Sequence, residues 1–112
     1  MAAVKRIPHR LTGKWAVVSS QKPGEKQQAG EILDEWIISS DSLRSDAGLL
    51  KVQKVEVKNE PHQEMVLVSF ANNSLQYAFM NSEKQPDVVL VVMYLDSVEQ
   101  MRCLITQAVY SD

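Results

Sequence analysis

The stretch Asp96-Ser-Val-Glu-Gln-Met-Arg-Cys-Leu-Ile-Thr-Gln-Ala-Val109 decides the fold, because it reads as a helix by one period and as a strand by another. At 100° per residue, Val98, Met101, Leu104, Ile105, Ala108 and Val109 occupy one arc of about 140°. Glu99, Gln100, Arg102, Cys103, Thr106, Gln107 and Tyr110 all fall outside that arc. At period two, Gln107 interrupts the face of Met101, Cys103, Ile105 and Val109, while Arg102 and Thr106 share the other face with Leu104 and Ala108. The start also suits a helix: the Asp96 carboxylate accepts from the first free N–H groups and Glu99 reaches back, at capping-box spacing. The spacing predicts an amphipathic helix over 97–110.

Upstream of it the chain is β-prone. Trp15-Ala-Val-Val-Ser-Ser20 predicts a strand over 14–20, ended by the turn pair Pro23-Gly24. Residues 25–40 fit two readings. As a helix, Ala29, Ile32, Leu33, Trp36 and Ile37 share one arc; as a strand, the alternation is broken by Asp34 on one face and by Glu31 and Glu35 on the other. Gly30 costs a helix about 1 kcal/mol relative to Ala, which favours a strand beginning near Glu31. After a polar turn region over 39–48, with room for a short edge strand, Leu50 and Val52 share one face and Val55 and Val57 the other, so a bulge is expected at Gln53-Lys54. Met65–Phe70 and Leu75–Phe79 predict a hairpin turned at Asn72-Asn73 with positive φ, and Val88–Leu95 is apolar on both faces, as a strand covered on both sides would be. The fold expected is α+β, mainly β: an antiparallel meander forming a bent sandwich or partly open barrel, closed by one C-terminal amphipathic helix. Residues 1–10 are expected as a flexible basic arm and 11–112 as a single domain.

The 112 residues are 45% apolar and 23% charged, which suits one globular domain and excludes wholesale disorder. No apolar run approaches the roughly 20 residues of a membrane-spanning helix, and the first ten residues lack the apolar core of a secretory signal. The lone Cys103 allows no internal disulfide, so a reducing compartment, cytoplasm or nucleus, is expected. Charge is segregated. Residues 1–30 carry six basic side chains against Glu25 alone, whereas 31–112 carry six against thirteen acids. A basic front of that kind suits an acidic or phosphate-bearing partner.

The element order resembles the pleckstrin-homology-like superfold, with Gly30–Leu43 similar to its second and third strands and Tyr94–Val109 to its last strand, acidic cap and closing helix. That family's inward tryptophan on the helix is replaced here by Met101, Leu104 and Ile105. A second resemblance is carried by Leu11-Thr-Gly-Lys-Trp15, which is similar to the Gly-x-Trp opening of the lipocalins. That likeness implies a small ligand-binding barrel, requires 101–109 to be a strand, and puts Arg102 over the tryptophan.

No motif for catalysis, metal or cofactor stands in the chain, so no enzyme activity, metal or cofactor is expected. His9 and His62 have no metal-ligand spacing, and Asp34, Glu35, Asp41 and Asp46 lack an EF-hand pattern and read as surface charges. The function expected is an adaptor module that docks a protein or peptide as a subunit of a larger assembly, by strand addition at an open edge or through the helix face of Glu99, Arg102, Cys103 and Thr106. Homodimerisation through a two-faced apolar strand is compatible with it; nucleic acid is not an expected partner. One alternative is phosphoinositide binding at Arg10, Lys14, Lys22 and Lys26, the place of the lipid site in pleckstrin-homology domains. The other is a lipocalin-like carrier of a small hydrophobic ligand.

Overall fold

The structure, a computed structural model, describes residues 6–107 except 62 and 83. His62 and the last positions of the predicted helix, 108–110, therefore lie outside the described residues. A short 3-10 turn, His9–Leu11, leads into eight strands: β1 (Gly13–Gln21), β2 (Gln28–Ile38), β3 (Ser42–Ser45), β4 (Gly48–Glu60), β5 (Gln63–Phe70), β6 (Asn73–Ser82), β7 (Val88–Leu95) and β8 (Val98–Gln107). Each strand pairs antiparallel with the next, and β8 returns to β1, so the meander closes into a barrel.

The predicted C-terminal helix is absent; residues 98–107 are strand β8. Two features of the chain produce this outcome. Asp96 and Ser97 both adopt positive φ, 50° and 67°, as a two-residue type I′ hairpin turn requires, so the residues read as a helix cap instead reverse β7 into β8. Asp and Ser suit either role, since their side chains bond nearby backbone in turns as well as at caps. In addition, β8 pairs along both sides, with β7 from Leu95↔Val98 to Val88↔Thr106 and with β1 from Gln21↔Arg102 to Trp15↔Gln107. A helix would satisfy its own backbone and leave two sheet edges open. On the inner face Met101, Cys103 and Ile105 alternate, with Ile105 fully buried. Gln107, which spoils that face in the sequence, lies exposed at the barrel's end.

Other expectations hold. β1 and the β5–β6 hairpin form as expected, residues 28–38 are strand rather than helix, and the β4–β5 register shifts between Val52 and Lys54, where the apolar phase flips. The turn of that hairpin falls one residue earlier than expected, at Ala71-Asn72 with Asn73 already paired to Phe70, and without positive φ. Asn72 acts through its amide instead: Oδ1 accepts from Lys51 N–H at 3.0 Å and Nδ2 donates to the Leu49 carbonyl at 2.9 Å, tying the turn to β4.

The core fills the barrel with inward residues from all eight strands, among them Trp15, Trp36, Leu43, Val55, Val66, Phe79, Val91 and Ile105. Residues 7–11, expected as part of the flexible arm through Arg10, instead cap the lower end. Ile7 and Leu11 are buried, Ile7 N–H donates to the Ser40 carbonyl at 2.8 Å, and the Trp15 indole N–H donates to the Leu11 carbonyl at 2.9 Å. The upper end carries the turns 22–27, 46–47, 71–72 and 96–97 and has no such cap among the described residues.

Ser97 is a non-glycine residue held in the left-handed region, at a cost of roughly 1 kcal/mol. Ser97→Gly is expected to stabilise the protein by about that amount and to raise its melting temperature by about 4–8 °C in a thermal scan. A helix beginning at that position would be weakened by the same change.

Candidate functional site

The upper half of the barrel is opened by two irregularities. β3 is only four residues long and meets β2 through Ile37↔Arg44 and Ile38↔Leu43 alone, so the upper part of β2 has no β3 partner. On its other side β2 pairs Asp34 with Val17 and then Ala29 with Ser19, so residues 30–33 stand opposite the single residue Val18. Gly30 begins this excursion at φ +114°, a conformation only glycine adopts cheaply. The excursion leaves Ile32 and Leu33 exposed at the rim.

Beneath the gap lies a cavity of about 400 Å³ lined chiefly by Asp34, Trp36, Tyr77, Met93, Met101 and Cys103, with Leu33, Ser20, Ser45 and Ala47 at its edge. That volume is within the range of small-molecule sites. The Trp36 and Tyr77 rings stand 6.0 Å apart at 39°, and Phe70 packs edge-on against Tyr77 at 5.0 Å, which fixes the tyrosine from behind.

Asp34 is the carboxyl group of this lining. Its Oδ1 accepts from Glu35 N–H at 2.7 Å and from Asp46 N–H at 3.3 Å, and its Oδ2 accepts from Trp36 Nε1–H at 3.1 Å. The carboxylate thus clamps the β3–β4 turn and the Trp36 ring at once. It is half-buried, so its reading as a plain surface charge is corrected; Glu35, one residue on, does face outward, 3.5 Å from Lys14. Burial pushes the Tyr77 phenol up to about 12, with the Cys103 thiol and Asp34 adding to the shift. Burial, then Asp34, pushes the Cys103 thiol up to about 11. Both groups are neutral at pH 7, and the thiol is a poor nucleophile there.

The residues predicted as sites are scattered. Lys22 and Lys26 lie at the upper end with Glu25 around a shallow recess of about 240 Å³, next to the cavity. Lys14 is eight residues earlier along β1, roughly 26 Å away at strand rise. Arg10 is at the lower end, paired with Glu64 beside a polar recess of about 320 Å³ that includes Asn81. The four cations therefore do not form one anion site.

The expected helix face is also dispersed. Cys103 points into the barrel, while Arg102 is exposed. A one-residue bulge, seen in the shift from Met93↔Met101 to Tyr94↔Glu99, puts Glu99 on the same outer face as Arg102. Their carboxylate and guanidinium bond at 2.7 and 3.0 Å, which holds Glu99 below its ordinary value. Arg102 pairs across to Gln21, while the β8 residue opposite Trp15 is Gln107, so Arg102 does not cover the tryptophan. Thr106 lies half-buried nearer the lower end.

The cavity's aromatic and thioether residues carry no distinguishing mark in the sequence, where Trp36, Tyr77 and Met93 read simply as core. One signal was visible: a carboxylate at Asp34 in phase with Trp36 and Ile38 on the inward face of a strand. Among the described residues no three His, Cys, Asp or Glu side chains come together as a metal site, and no helix is long and apolar enough to cross a membrane. Comparisons of the chain with protein families, curated proteins and solved structures give no match.

Both acids in the cavity have raised values, so each proton is held more tightly folded than unfolded. Stability from these two groups is complete below about pH 9 and is lost as pH rises from there through 11 to 12, by roughly 3 to 4 kcal/mol at pH 11 relative to pH 8. Urea denaturation across that range is expected to show the fall, and Cys103→Ala to flatten its portion between pH 9 and 10.

Proposed function

We propose that the protein is a non-catalytic binder of a small, largely apolar molecule held in the mouth of the barrel, the lipocalin-like reading of its sequence. The observation that carries this is the cavity itself: the lower barrel is filled by side chains and capped, whereas the upper part is open between β2 and the β3–β4 turn. Its wall has the composition of a ligand site, apolar surface with a few fixed polar groups. Met93 and Met101 add adaptability, because the flexible thioether side chain accommodates different shapes.

Titration with N-phenyl-1-naphthylamine, an apolar dye uncharged at pH 7, tests the reading. Saturable fluorescence enhancement in the micromolar range is expected, weakened at least tenfold by Met101→Trp, which fills the cavity. Absence of saturable binding overturns the proposal.

Docking of a protein is a second reading, with one specific observation in its favour. Met65, Met80, Leu90 and Leu104 face outward in a continuous cross-strand row, paired Met65↔Met80, Met80↔Leu90 and Leu90↔Leu104. In the sequence this two-faced apolar character fits a strand covered on both sides; among the described residues no helix covers the row, whose four side chains are half-buried. Strand addition, by contrast, is restricted by barrel closure to the upper part of β2. Self-association through the row is expected to appear as a dimer in sedimentation equilibrium and to be lost in Leu90→Glu; a monomer at all concentrations removes this form of the reading.

A further inference from the structure

The charge in the cavity specifies the class of ligand, provided the ligand-binding reading holds. Asp34 is satisfied by three N–H donors, all of them neutral, so its charge is oriented without being cancelled. No lysine or arginine among the described residues ion-pairs with it. A carboxylate has about four acceptor sites, and one of those on Oδ2 is left. Beside it stand the rings of Trp36 and Tyr77, whose faces attract positive charge.

We propose that the mouth of the barrel takes a small organic cation, a protonated amine on an aromatic or aliphatic body, with Asp34 as its counter-ion and Trp36 and Tyr77 against its body.

The field of Asp34 acts on the neighbouring acids in the same sense. It opposes ionisation of both Tyr77 and Cys103, so negative charge is disfavoured where the ligand sits. Lys22 and Lys26 would favour an anion, but they belong to an exposed loop with Glu25 between them in sequence. Solvent and salt screen such rim charges, whereas a charge in the wall of a partly desolvated cavity acts several-fold more strongly. The wall outweighs the rim.

Three matched probes separate the possibilities: 1-naphthylethylamine as the cation, 1-naphthylethanol as the neutral form and 1-naphthylacetate as the anion, measured by titration calorimetry at pH 7. The cation is expected to bind at least tenfold more tightly than the neutral probe and the anion more weakly than either. Raising the salt concentration should weaken the cation alone. In Asp34→Asn the cation and the neutral probe should bind within twofold of each other, while Glu35→Gln, which alters an outward charge, should leave the preference intact. Equal binding of cation and neutral probe to the wild type, or a preference that survives Asp34→Asn, overturns the inference and leaves the apolar site standing. So does failure of all three probes when the naphthylamine dye binds. Failure of the dye as well overturns both readings. Should Asp34→Asn not fold, the wild-type series with its salt dependence decides alone.

Discussion

Closure of the barrel by β8 is the constraint on which the rest depends. Its backbone bonds to β7 on one side and to β1 on the other, so neither strand presents an edge to solvent. The inner face then becomes an enclosed volume, and a chain of this size can fill it with side chains from every strand. The 3-10 turn and Ile7 complete the enclosure below, where the Trp15 indole is anchored to the Leu11 carbonyl. Without the β1–β8 seam, Val17, Cys103 and Ile105 would have no common interior to occupy.

The same closure makes the upper opening informative. A barrel of eight strands has an interior just wide enough to be filled by side chains or to hold one small ligand. Here the lower part takes the first course and the upper part the second. The difference comes from the shortness of β3 and from the excursion at residues 30–33, which begins at Gly30. Asp34 holds the two sides of this opening in register through the Asp46 N–H and the Trp36 indole, so the carboxylate both supports the cavity and charges it.

Much of the meander was legible because period two is a local property. The flip of apolar phase at Gln53-Lys54 required a bulge, and the register shift is there. The hairpin of β5 and β6 followed from two alternating runs around Asn72-Asn73. The C-terminal segment was misread because its apolar residues satisfy a 3.6-residue period by coincidence, and because Asp96-Ser97 suits a cap and a turn equally well. The candidate site was legible only as an anomaly, a charge in the inward phase at Asp34. Its partners Tyr77, Met93, Met101 and Cys103 come from β6, β7 and β8, far away in the chain, and carry no mark that separates cavity wall from core.

By itself the amino-acid sequence determined β1 and the strands from β4 to β7 with the faces they bury, since these follow from alternation and backbone preferences within a few residues, whereas β2 fitted two periods and β3 lay hidden in a polar stretch. Tertiary structure alone decided that residues 98–107 are a strand, that Arg10, Lys14, Lys22 and Lys26 lie at opposite ends of the barrel, and that Asp34 meets Tyr77 and Cys103. The physical reason is that the backbone groups of β8 find partners on two distant strands. That gain is absent from any local window, and in the folded barrel it outweighs a helical pattern of side chains.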